Sequence, residues 1–193
     1  MNPAGPRLED SARRELLALA RRTLESYMVE REIPLCIPNH SALKERAGAF
    51  VTLRRGTELR GCIGQVLPDA PLFLTVQRCA VSAALEDTRF APVAAEELPE
   101  ITIEISVLSQ LERVRDPAAI EVGRHGLMVS RGGRRGLLLP QVAAEYGWYL
   151  ETFLAQTCRK ARLPPDAWRD SGTVIEAFAA DFFSEESCRD PTN

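Results

Sequence analysis

Apolar positions along this chain recur with two different periods, and the places where the period changes mark the elements. Between Asp10 and about Glu30, Leu16, Ala20, Leu24 and Tyr27 fall on one stripe while Arg13, Arg14, Arg21 and Arg22 lie elsewhere. That spacing predicts an amphipathic helix, with Asp10 or Ser11 placed to cap its start. Pro34 and Pro38 then enforce an extended connection, because proline fixes φ and restricts the residue before it. In AFVTLRRGTELRGCIGQV two β-rich runs flank Arg54–Thr57, and Gly56 supplies the positive φ of a hairpin turn.

Pro71 suits the first turn of a second helix running to about Glu86, with Asp69 as a cap and Leu72, Val76, Cys79 or Ala80, and Ala83 as its inner stripe. Thr88–Pro99 reads as an irregular link. Ile101, Ile103, Ile105 and Val107 alternate with Thr102, Glu104 and Ser106, the mark of a strand buried on one face. A second hairpin turns at Gly132-Gly133. Residues 141–161 are helical with a break near Gly147, and a last strand covers about Thr173–Phe183. Hairpins interspersed with helices predict an α+β fold with a mainly antiparallel sheet and flanking helices.

Composition narrows the class without naming a function. The 193 residues are 45% hydrophobic and 26% charged, ordinary for a globular chain and enough for a sizeable core. A net charge of −3 argues against coating nucleic acid through charge alone, which needs many cations to neutralise phosphates. Five widely spaced cysteines without a CxxC pair fit neither a disulfide framework nor a structural zinc site, and two histidines are too few for a histidine-rich metal site. No motif signals a cofactor. No apolar run approaches the roughly 20 residues of a membrane span, and the N-terminus lacks the apolar core of a signal peptide, so a cytoplasmic location is expected.

The chemistry-bearing candidates centre on Leu59-Arg60-Gly61-Cys62-Ile63-Gly64. Strict strand alternation puts Arg60 and Cys62 on one face and Leu59, Gly61 and Ile63 on the other. Gly61 and Gly64 clear space beside the sulfur for a bulge or a ligand, and a nearby guanidinium favours the reactive thiolate. A small packed thiol beside a bulge accounts for the same residues, and from residue chemistry alone it is the commoner outcome. His125, between Gly123 and Gly126, is the candidate general base, and Glu104 a candidate acid or base on the polar face of its strand. Arg54, Arg55, Arg131, Arg134 and Arg135 cluster at the two hairpin turns and are candidates for gripping phosphate, as on a nucleotide or RNA.

These segments together resemble a known family. FVTL followed by LRGCIG, then DTRFAP, ELPEITIEISVLS, GRHGL, GLLLPQVAAEYGW and CRKARLPPDAW, match in order and spacing the AMMECR domain family of the AmmeMemoRadiSam system. The resemblance spans residues 10–183 as one domain and leaves 1–9 and 184–193 as flexible tails. It implies two unequal lobes around a cleft faced by LRGCIG. Arg60, Gly61, Cys62, Gly64, Arg89, Phe90, Glu104, His125 and Gly126 stand at the family's motif positions. It implies a Memo-like protein and a radical SAM protein as partners, and a nucleotide- or RNA-modifying role that is not established. The sequence departs at Thr88 and Ala91, where many relatives have proline, and at Arg162, where many have glycine.

Overall fold

The computed structural model describes residues 7–188, which form two compact units: 7–108 with the segment from Asp181, and 109–180. The first unit opens with α1 (Asp10–Glu30) and a strand pair, β1 (Ala49–Arg55) and β2 (Glu58–Gln65). It continues with α2 (Leu72–Leu85) and β3 (Ile101–Leu108). β1 is the middle strand, pairing antiparallel with β2 on one side and β3 on the other. Both helices pack on one face of this sheet. Leu16, Leu24, Leu53, Val76, Ile103 and Ile105 are fully buried in the resulting core. The predicted inner stripe of α2 is buried throughout. The α1–α2 contact also carries a polar link, in which buried Gln77 donates to Thr23 Oγ1 at 3.0 Å and to the Pro34 carbonyl at 2.9 Å.

Helix caps differ from the expectation. Glu9, not Asp10 or Ser11, occupies the position before α1, and no side chain caps it. Asp10 is drawn to Arg13 at 3.0 Å, and Ser11 Oγ meets His40 Nε2 at 3.0 Å. Before α2, Pro71 takes the cap position while the Asp69 carboxylate accepts from Gln65. Asp10 and Asp69 are thus engaged by partners three and four residues away, and Ser11 by His40 across the fold.

The second unit comprises β4 (Glu112–Arg113), the hairpin β5 (His125–Arg131) and β6 (Arg134–Leu138), α3 (Pro140–Glu145), α4 (Leu150–Lys160) and β7 (Val174–Ser184) up to Ala180. β7 pairs antiparallel with β5 and β4, and Leu127, Val129, Phe153, Leu154, Cys158 and Ala177 form the core. Gly147, at φ 59°, ends α3 and makes the predicted helix break. β4 escaped the sequence reading because two exposed charged residues carry no strand pattern. Arg162 adopts φ 58°, a left-handed conformation, just beyond α4.

Parts of the stretches 1–9 and 184–193, expected as tails, are described. Leu8 is buried and its N–H donates to Asp181 Oδ2 at 2.9 Å, while Glu185 holds Arg21 at 2.5 Å. The remainder of those stretches, 1–6 and 189–193, lies outside the described residues.

Candidate functional site

β2 forms the free edge of the three strands in the first unit, and Cys62 lies at its middle. The β1–β2 register places Leu53 opposite Gly61 but Arg54 opposite Leu59, so Arg60 has no partner on β1. That bulge breaks the strict alternation expected from the sequence. Leu59 joins the face carrying Arg54, Thr52 and Cys62, and Arg60 turns to the loop beyond α2. Its Nε and one terminal nitrogen grip Glu97 in a two-point ion pair, each contact 2.9 Å. Its remaining contacts go to the carbonyls of Ala91 at 2.8 Å and Pro92 at 3.3 Å. The Arg60 hydrogen bonds, with the N–H of Ala94, hold the Glu97 carboxyl down at about 2. Arg60 therefore straps the 91–97 loop to the strand.

The Cys62 side chain is partly exposed, and Thr52, directly opposite on β1, donates its hydroxyl to the sulfur at 3.2 Å. Thr52 also faces Glu104 on β3, so Cys62, Thr52 and Glu104 form one cross-strand row. Glu104 accepts from Arg54 Nε at 3.0 Å. Because β2 is an edge, the outward amide groups of Cys62 need partners from outside the ladder. Asp87 and Arg89 provide them. Asp87 Oδ2 accepts the Cys62 N–H at 2.8 Å, and Arg89 donates to the Cys62 carbonyl at 3.3 Å. The two side chains are themselves joined by contacts of 2.9 and 2.6 Å. Those hydrogen bonds from Arg89, then the Cys62 N–H, hold the buried Asp87 carboxyl far below the usual carboxylate range. Phe90 stacks its ring 5.4 Å from the Arg89 guanidinium.

The motif glycines answer to close packing. A side chain on Gly61 would begin 2.0 Å from the Ala83 carbonyl oxygen of α2, so β2 and α2 approach as only glycine permits. Gly64 is directly opposite Phe50, whose ring covers it, and Gly126 is directly opposite Phe178 in the same arrangement. His125 starts β5 in the second unit and is 1% exposed; its Nδ1 accepts the Glu121 N–H at 3.0 Å. Nε2 is buried without a hydrogen-bond partner among the described residues. Burial drives its pKa below the ordinary histidine value and keeps the ring neutral.

Among the hairpin-turn arginines, Arg54 is tied to Glu104, Arg55 to Glu100 at 2.6 Å, Arg131 to Asp170 at 2.5 Å, and Arg134 to the Arg162 carbonyl at 3.0 Å. Thr52, Asp87 and Glu97 were not singled out from the sequence. Asp87 was the most accessible of the three, two residues before Arg89 in the same motif. Thr52 required the strand register and Glu97 the path of the loop.

The chain belongs to the AMMECR1 family, which matches over residues 17–183. It is 45% identical to Protein TK0174 of Thermococcus kodakarensis over 96% of each chain, and 46% identical to Protein PF1979 of Pyrococcus furiosus over 96% of this chain and 93% of that one. Its fold is similar to the crystal structure of the uncharacterized protein PH0010 from Pyrococcus horikoshii, with a TM-score of 0.85 and 42% identity, covering 91% of this chain and 92% of that one. The fold is α+β with an antiparallel sheet and flanking helices, and no helix among the described residues is long and apolar enough to cross a membrane.

Proposed function

We propose that this protein is an enzyme built around Cys62, acting on a small molecule, a nucleotide or an RNA base. The observation that supports it is the way the sulfur of one half-buried cysteine is positioned. Thr52 donates to it from β1, while Asp87 and Arg89 fix the strand backbone on either side of its α-carbon. Preorganising a nucleophile to within a fraction of an ångström is what catalysis requires of a scaffold. In this reading the thiol yields its proton to solvent and the sulfur bonds to an electrophilic carbon. The displaced group departs with its electron pair, and water later cleaves the S–C bond to restore the thiol. Arg60 and Arg89 are positioning residues. Glu104, in the same row, is the carboxylate available for proton transfer.

The test is time-resolved alkylation of the folded protein with iodoacetamide, read at each cysteine by mass spectrometry. Cys79 and Cys158 are internal controls, since burial pushes the Cys79 thiol up to about 11 and raises Cys158 as well. Cys62 is expected to react well ahead of both, at a rate altered by Thr52→Val. If Cys62 stays protected until the protein unfolds, the enzyme reading fails.

A second reading is an adaptor for a Memo-like protein and a radical SAM protein. It is favoured by the ion pairs that neutralise both Arg60 and Glu104. It predicts that Cys62→Ser leaves capture of either partner unchanged, and loss of capture on that substitution argues against it.

A further inference from the structure

A cavity of about 610 Å³ lies within the second unit, on residues that the Cys62 site does not use. Its lining brings together Arg113 of β4, Arg115 just beyond it, Arg169 and Trp168 from the turn before β7, and Thr173 and Ile175 at the start of β7. Val114 and Pro117 complete the wall. The geometry points to a binding site for a phosphorylated small molecule of about nucleotide size.

Four features support this. Three arginines line one hollow in a chain of net charge −3. Guanidinium groups match phosphate oxygens with paired donors, and three of them suit a ligand carrying more than one negative charge. Of the three, Arg169 meets Glu151 at 3.2 Å, a contact with both side chains well exposed. Arg113 faces Glu176 across the β4–β7 register. Glu112, Asp116 and Asp170 each adjoin one of the three arginines in sequence; Asp116 accepts the Ala118 N–H at 2.9 Å, and Asp170 is held by Arg131. Exposed pairs of this kind contribute little and exchange readily for a better anion.

The buried hydroxyl is the second feature. Thr173 is 9% exposed, lines the cavity, and its Oγ1 has no hydrogen-bond partner among the described residues. A buried hydroxyl without a partner costs free energy in the empty protein, and rotation of the Thr173 side chain toward a ligand oxygen in the cavity removes that cost. Third, Trp168, Val114, Pro117 and Ile175 give an apolar wall beside the cationic one, the mixed lining expected where one end of a ligand is charged and the other is a ring. Arg169 already lies over the Trp168 ring at 4.2 Å, which holds the guanidinium at the edge of the hollow. Finally, the volume lies inside the range of about 300–1,000 Å³ typical of small-molecule pockets.

Isothermal titration of the whole protein with inorganic pyrophosphate and with ADP, both without metal, tests the assignment. Saturable binding is expected, ADP tighter than pyrophosphate. Loss of the paired donors in Arg113→Ala/Arg115→Ala should weaken both by about tenfold or more. Thr173→Val, nearly isosteric, should weaken binding while leaving the melting temperature of the empty protein unchanged or higher. Arg22→Ala, an exposed arginine of α1 in the first unit, is the control and should leave binding unchanged. The proposal is overturned if neither probe binds, or if Arg22→Ala weakens binding as much as the double variant does. Binding of a mixed-sequence RNA oligomer through Arg113 and Arg115 without binding of ADP overturns it as well. None of these outcomes depends on Cys62.

Discussion

The backbone N–H of Cys62 donates to Asp87 at 2.8 Å, and this bond organises the edge of the sheet around the cysteine. Asp87 is 6% exposed at its side chain while Arg89, its ion-pair partner, is 55% exposed. The two halves of the clamp are therefore unequal. Asp87→Ala strands a strand N–H and removes the acceptor of a charge-assisted bond, a loss of about 2–4 kcal/mol. Arg89→Ala removes a largely solvated partner and costs about 1 kcal/mol. Urea unfolding of the two variants checks the order, and equal losses contradict this division of roles.

Gly61 and Gly64 flank the same cysteine but are constrained by different neighbours. A methyl at Gly61 meets the Ala83 backbone oxygen, which cannot move without shifting α2. At Gly64 the obstacle is the Phe50 ring, a side chain with a rotamer to change. Gly61→Ala is expected to lose about 2–3 kcal/mol or more, and Gly64→Ala appreciably less. Denaturant midpoints of the two variants decide the matter.

Acid sensitivity falls in two windows. Glu97 is held at about 2 in the folded protein by Arg60, below its unfolded value, so its contribution is complete above about pH 4.3 and is lost as pH falls towards 2. Glu15 behaves alike, held at about 2 chiefly by the Asn39 N–H and also by His40. Buried His125 is lowered by desolvation, so its contribution is present above about pH 6.5 and declines below it as the unfolded chain takes up a proton. Glu97→Gln is expected to flatten the stability profile between about pH 4.5 and 2. His125→Asn, which keeps an acceptor for the Glu121 N–H, should flatten it between about pH 7 and 5. Chemical denaturation across pH reads both slopes.

Arg162 occupies a left-handed conformation at φ 58°, one that glycine adopts without strain. Its carbonyl, not its side chain, receives Arg134 at 3.0 Å. Arg162→Gly is expected to relieve backbone strain and raise stability by about 0.5–1 kcal/mol. A melting temperature that falls would show that the arginine side chain holds the turn.

The local pattern by itself determined most of the elements. The stripe Leu16, Ala20, Leu24 and the alternation Ile101, Ile103, Ile105 determined a helix and a strand, because each repeats the geometry of its own backbone. Gly56 and Gly147 determined a turn and a helix break, because positive φ belongs to glycine. Tertiary structure alone decided what surrounds Cys62. Thr52 lies ten residues away and becomes its partner through strand register. Asp87 arrives from beyond α2, since an edge strand's free amide draws a partner from whichever segment packs against it. The glycines allowed a bulge beside Cys62, but its position at Arg60 was out of reach, because a one-residue slip in pairing depends on both strands and on the helix behind them. Chain-local periodicity fixes elements; distances between segments far apart in sequence fix the site.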